Sequence, residues 1–135
     1  MGNHTLELFK ELGISPSHTR MMIYDFLSEN KNHPTVDEIY QALNQFLPTL
    51  SKTTVYNVLN LLIKNDLVEA INTSDNEKRY ELKIDDHSHF TCIECGTIFD
   101  IPRVETTYDK SKLPQFNIVH EQVNLLGVCN SCMKK

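Results

Sequence analysis

Four cysteines fall into two pairs of identical spacing, Cys92-x-x-Cys95 and Cys129-x-x-Cys132. Two such pairs supply the four thiolates of a closed tetrahedral Zn(II) site. Gly96, directly after the first pair, suits the positive φ of a tight turn whose amides donate to sulfur. The loop between the pairs is long, so the site would close a subdomain rather than a compact finger. Four free buried thiols are the plain alternative. A single iron on the same sulfurs, as in rubredoxin, would make this half an electron carrier; it would be red, where zinc is colourless.

The histidines and carboxylates are a different kind of ligand. On a strand, His87 and His89 share one face and Cys92 falls on the other, so the two imidazoles do not join the thiolate site. His33, Glu81 and Asp100 would complete a set of three nitrogens and two carboxylates, which suits Fe(II) or Mn(II) better than soft thiolates do. Each also has an ordinary explanation: His33 as a loop residue, Glu81 as a hairpin surface charge, Asp100 as a charge at a strand edge. Taken together, the donors describe a chain with two metals and two tasks. No nucleophile and base are suggestively spaced, and the His-x-Glu of metal deaminases is missing, so an enzyme is not expected.

The elements that must position these donors change character along the chain. Residues 1 to about 66 read as helical. Ser15-Pro16 offers an N-cap, Thr35 with Glu38 forms a capping box, and Ser51 caps a strongly periodic helix. Val36, Ile39, Tyr40 and Leu43 make one buried stripe, and Val55, Val58, Leu59 and Leu62 another. The second of these helices presents Lys52, Thr53, Thr54, Tyr56 and Asn57 on its polar side, a face unusually poor in acid. Asn contacts adenine through two bonds, and hydroxyls hold phosphates. Such faces are also often merely solvated.

Runs at Leu67 to Ile71 and Lys78 to Leu82, joined by a polar turn from Asn72 to Asn76, predict a hairpin. Helices followed by a polar-faced helix and a hairpin outline a winged helix-turn-helix over residues 1–83. From 84 to 135 strand-like runs dominate, at His89 to Cys92, Thr97 to Ile101 and Phe116 to Leu126, with a short helix expected between Val104 and Leu113. This half is small enough to need its cysteines, or a partner chain, to complete a core. The fold class expected is α+β.

The 135 residues carry a formal charge of -5, and residues 1 to 84 hold 8 Lys or Arg against 11 Asp or Glu. That balance argues mildly against nucleic acid, so local arrangement or bound cations must supply a positive face if DNA is the partner. No apolar run approaches a membrane span and the first stretch lacks signal-peptide features, which points to a cytoplasmic protein with no membrane partner. In that compartment paired cysteines favour metal over disulfides.

With these residues in hand, the chain resembles the ferric uptake regulator family of bacterial metalloregulators over essentially its whole length. The matching motifs are His33-Pro34-Thr35-x-Asp37-Glu38-Ile39-Tyr40, Ser51-x-x-Thr54-Val55-Tyr56-Asn57-x-Leu59, Arg79-Tyr80, Asp86-His87-x-His89, Cys92-x-x-Cys95-Gly96 and Gly127-x-Cys129-x-x-Cys132. The resemblance implies an N-terminal winged-helix domain joined to a small C-terminal α/β dimerisation domain with structural zinc. It also implies a homodimer that binds palindromic, A/T-rich double-stranded DNA when metallated. The peroxide-responsive subgroup (PerR) resembles the chain in Asp86-His87-x-His89, in the aspartate at Asp100 and in Asn57. Glu81 is instead similar to the iron-responsive regulators, which form the alternative. Of a third metal site known in some iron regulators only His120 remains, with Ser88 in place of an acidic ligand.

That resemblance implies a mechanism. A metal held by His33, Glu81, His87, His89 and Asp100 would clamp the two halves, with metal and operator each tightening the other's binding by ~1 to 3 kcal/mol. Peroxide at Fe(II) would oxidise His33 or His87 to a poor ligand, releasing the DNA, whereas a Mn(II) form would be blind to peroxide.

Overall fold

The computed structural model describes residues 2–73, 77–83 and 85–134, and the chain divides into two compact units, residues 1–84 and 85–135. The first unit is built on four helices, α1 (Gly2–Glu11), α2 (His18–Glu29), α3 (Val36–Asn44) and α4 (Lys52–Lys64). A hairpin of β1 (Val68–Ile71) and β2 (Arg79–Leu82) follows them. Val36, Ile39 and Leu43 of α3 and Val55, Val58, Leu59 and Leu62 of α4 are buried with Phe9, Ile23 and Leu27 in one core, as the periodicity requires. Tyr40 is only partly buried at the edge of this core.

Helix starts follow local hydrogen bonding. Thr35 and Glu38 form the full capping box: Glu38 N–H donates to Thr35 Oγ1 at 3.1 Å and Thr35 N–H to Glu38 Oε1 at 3.0 Å. Ser51 Oγ accepts the Thr54 amide at 3.1 Å. The start of α2 corrects the expectation. Its N-cap is Ser17, whose Oγ accepts the Arg20 amide at 3.1 Å, and not Ser15, whose carbonyl instead accepts Arg20 Nη1 at 2.7 Å. Pro16 favours extended backbone in the residue before it and so holds Ser15 outside the helix.

In the hairpin Val68 lies opposite Leu82 and Ile71 opposite Arg79. The expected turn from Asn72 to Asn76 falls partly outside the described residues, which omit 74–76.

The second unit has a three-stranded sheet in the order β4-β3-β5, from β3 (Ser88–Cys92), β4 (Ile98–Ile101) and β5 (Asn124–Gly127). β3 pairs antiparallel with β4 and parallel with β5. One turn of helix, α5 (Asn130–Met133), follows. Two expectations are corrected here. Between Val104 and Leu113 there is only a three-residue 3-10 turn, Lys110–Lys112, with Asp109 Oδ1 accepting the Ser111 amide at 3.0 Å. The long strand from Phe116 shrinks to Asn124–Gly127, because the central strand offers only a five-residue partner.

Candidate metal centre

The cysteine cluster is assembled by two turns docked side by side. Cys92 ends β3 and the chain turns back through Gly96, at φ 75, whose amide donates to the Cys92 carbonyl at 2.9 Å. Gly127 lies opposite Cys92 in the β3–β5 register, and a side chain there would meet the Phe90 ring at 3.1 Å. Its carbonyl accepts the Ile93 amide at 2.8 Å, which brings Cys129 and Cys132 over the first pair.

The resulting Sγ atoms lie 3.7 Å apart for Cys92 and Cys132 and 3.8 Å apart for Cys95 and Cys129, with all four within 4.8 Å. Bonds of about 2.3 Å from a tetrahedral Zn(II) place sulfur atoms about 3.8 Å apart. The spacing therefore fits zinc and is far too long for disulfides.

Electrostatics point the same way. Cys92 Sγ accepts the amides of Cys95 at 3.5 Å and Cys129 at 3.4 Å, and these donors hold its thiol down at about 6. Thr97, with Oγ1 at 3.2 Å from Cys95 Sγ, holds that thiol below its ordinary range too. Cys132 is pushed up to about 12, first by hydrogen bonding with the Cys129 sulfur and then by burial. Several thiolates cannot share so small a space without a cation, so protons stay on some of them until a divalent ion replaces them.

The second unit also gathers three harder donors. His89 sits directly across from Asp100 in the β3–β4 register, so both project from one face. His87 precedes the strand but turns its ring the same way. Its Nε2 lies 3.1 Å from His89 Nε2, and Asp100 Oδ1 lies 3.5 Å from both nitrogens.

Octahedral bonds of about 2.1 Å would place neighbouring donors about 3.0 Å apart, so this triangle needs only a slight contraction. Two imidazoles and one carboxylate on a shared face are the donor pattern of non-haem Fe(II) sites. His87 is oriented from behind by Asp85, whose Oδ1 is 2.8 Å from Nδ1. Sequence reasoning overlooked Asp85, although its spacing two residues before His87 was a readable signal.

In the first unit His33 Nε2 lies 2.9 Å from Glu81 Oε2. The residues are brought together by backbone pairing. The Tyr80 amide donates to the Pro34 carbonyl at 3.0 Å, and Thr35 bridges Arg79 antiparallel. His33 adopts φ 56, the left-handed region that is uncommon for any residue but glycine. Glu81 faces Glu69 directly across the hairpin, a like-charge pair that favours a cation nearby. Neither Glu69 nor Arg79 was singled out for this site by sequence alone.

The polar side of α4 is exposed at Ser51, Lys52, Thr53, Tyr56 and Asn57, with Thr54 partly buried and its hydroxyl 2.9 Å from Ser51 Oγ. Lys52 Nζ pairs with Asp37 Oδ1 at 2.7 Å and sits 5.7 Å from the centre of the Tyr40 ring. His120 lines a cavity of about 290 Å³ with Asp86, Arg103, Tyr108 and Glu121, and is in no further cluster of metal-binding side chains among the described residues.

The model for the family described as Ferric uptake regulator family matches residues 5–126. The peroxide operon regulator of Bacillus subtilis is 33% identical over 96% of this chain and 92% of its own length. The peroxide-responsive repressor PerR of Staphylococcus aureus strain Mu50 is 31% identical over 93% of this chain and 87% of its own. Among solved structures, the Helicobacter pylori ferric uptake regulator, described as having three functional metal binding sites, shares the fold. Its TM-score is 0.74 at 23% identity, covering 100% of this chain and 95% of that one. PerR from Streptococcus pyogenes matches with TM-score 0.56 at 26% identity, over 96% of this chain and 90% of that one. With a family match over most of its length and relatives that are transcription regulators, the chain belongs to the Ferric uptake regulator family of metal-dependent transcription regulators and is not an enzyme.

Proposed function

We propose that the chain is a cytoplasmic, homodimeric repressor that senses hydrogen peroxide through oxidation of a histidine ligand. In this reading the cysteine cluster holds structural Zn(II), and His33 and Glu81 join His87, His89 and Asp100 around one regulatory Fe(II) or Mn(II). The observation that carries the reading is the triangle of His87 Nε2, His89 Nε2 and Asp100 Oδ1. Three donors on one face need complement, and the imidazole and carboxylate of His33 and Glu81 bring the count to five. A six-coordinate ion would then keep one position open to a small oxidant. The peroxide-responsive names of relatives at about the same identity support this subtype.

Fe(II), when bound, would supply the redox chemistry by which peroxide, a two-electron oxidant, leaves one oxygen on an imidazole carbon and the other as water; Mn(II) does not do this readily. The protein's part is to offer His33 and His87 as ligands and to make their loss matter; His87 is the more accessible ring, since His33 and His89 are both buried. An oxidised His33 or His87 carries a carbonyl between its nitrogens and is a poor donor. The two units are then no longer tied, and the paired α4 helices lose the spacing that a palindromic, A/T-rich operator demands. On α4, Tyr56 and Asn57 would reach bases, while Ser51, Lys52, Thr53 and Thr54 hold the backbone.

An iron-responsive repressor with the same five ligands is the second reading, favoured by the longer carboxylate of Glu81. Operator binding by the Fe(II) and Mn(II) forms, followed by gel shift under low peroxide, separates the two. The proposal expects DNA release from the Fe(II) form alone; an Fe(II) form that stays on its operator as firmly as the Mn(II) form contradicts it.

A further inference from the structure

Arg79 is adjacent to no ligand in space alone; it is bonded to the backbone of one. Its Nη1 donates to the His33 carbonyl at 3.2 Å and to Glu38 Oε1 at 3.3 Å. The same Glu38 oxygen accepts the Thr35 amide in the capping box that starts α3. Two unfavourable features meet at this point. His33 is held at φ 56 immediately before Pro34, where the backbone ordinarily prefers extended conformations, and Arg79 Nε is buried with no acceptor among the described residues. Such local strain persists only where surrounding bonds over-determine it; here the Arg79 guanidinium supplies one such bond on the His33 carbonyl, beside the Tyr80 amide on the Pro34 carbonyl.

We propose that Arg79 is a positioning residue for the regulatory metal. It pins the left-handed turn that aims His33 Nε2 at Glu81, and through Glu38 it ties that turn to the first turn of α3. Both bonds leave Nη1, whose two N–H groups are fixed in the guanidinium plane, so a carbonyl and a carboxylate are met in set directions. Lysine keeps the charge but offers a single mobile ammonium. The inference rests on the reading that His33 is a metal ligand, and it adds a residue outside the ligand set that governs affinity.

The test uses the full-length, zinc-loaded protein and Mn(II) as the probe, with binding followed by calorimetry. Arg79→Lys is expected to weaken Mn(II) binding by about 10- to 100-fold, the range typical when a residue that orients a ligand is lost. The melting temperature of the zinc-loaded, Mn(II)-free protein should stay near wild type. Glu38→Gln keeps a side chain able to complete the capping box and so stays folded, and it should weaken Mn(II) binding in the same direction by a smaller factor. Should Arg79→Lys fail to fold, Glu38→Gln carries the test. His33→Ala separates the two layers of the argument. If it leaves Mn(II) affinity unchanged, the ligand reading of His33 is wrong. If it weakens binding while neither Arg79→Lys nor Glu38→Gln does, Arg79 is merely structural and the inference is overturned.

Discussion

Replacing Cys92 by serine should unfold the second unit and leave the first intact. The reason lies in where apolar side chains are buried. Fifteen of the buried apolar residues, from Phe9 to Tyr80, lie in the first unit, whereas the second contributes only Cys92 and Cys132. The unit of residues 85–135 thus has no aliphatic interior to fall back on among its described residues. Its sheet is held by the turn at Cys92 and the turn at Cys129, and Cys92 is the sulfur on which both turns place an amide.

Structural zinc in small domains contributes roughly 10 to 16 kcal/mol of apparent folding free energy at neutral pH. A second copy covering the exposed Phe99, Leu125 and Leu126 would offset roughly 5 to 9 kcal/mol, at about 1.5 to 3 kcal/mol for each buried side chain. Zinc therefore stabilises this unit by more than covering these three side chains would, and a typical domain is stable by only about 5 to 15 kcal/mol. Hydrogen exchange read by mass spectrometry on full-length Cys92→Ser, with zinc content measured in parallel, is the assay. Peptides spanning β3, β4 and β5 should exchange at unfolded rates while those from α4 keep their protection. Native-like protection of β3 in protein shown to lack zinc would refute the reasoning.

Asn57→Ala should weaken binding to the specific operator by about 1 to 3 kcal/mol and leave random DNA nearly unaffected, as measured by competition gel shifts; equal losses on both would mean that Asn57 only positions the protein on phosphates. Asp37→Asn frees Lys52 from its 2.7 Å partner and removes a negative charge beside the polar face of α4. Non-specific DNA affinity should rise modestly, with a steeper dependence on salt seen in fluorescence anisotropy. Asp100→Glu puts a longer, more mobile carboxylate opposite His89 and should make the Fe(II) form markedly slower to leave DNA under peroxide, a change read from release kinetics at fixed peroxide.

How much of this was legible in the sequence depends on the range of the interactions. The capping box at Thr35 and Glu38 and the cap at Ser51 were readable, because each is closed within three residues. Proline in the first helical turn is favourable and so points to Ser15 as the cap of α2; the Ser17 hydroxyl meeting the Arg20 amide decides otherwise. The cysteine spacing announced the thiolate cluster, since a tight turn can present both members of each pair.

The segment from Val104 to Leu113 is expected to hold a short helix, yet it closes only the 3-10 turn Lys110–Lys112, capped by the Asp109 side chain on the Ser111 amide. The extent of β5 depends on a parallel neighbour 35 residues away in register, His89 opposite Asn124, which no local pattern reveals. In the sequence, the pairing of His33 with Glu81 rests on donor chemistry alone. Its physical basis, a left-handed turn fixed by Arg79 and by strand-like bonds from Pro34 to Tyr80, spans more than forty residues and left no periodic trace.

The central claim is that a histidine ligand is the sensor. The most direct measurement is tryptic mass spectrometry of the Fe(II)-loaded protein before and after brief exposure to low peroxide, with the Mn(II) form as control. The account predicts one added oxygen on the peptide carrying His33 or on that carrying His87, in the Fe(II) form only. Peroxide-treated Fe(II) protein with both histidines unmodified, or with oxygen found only on methionines and cysteines, would contradict it.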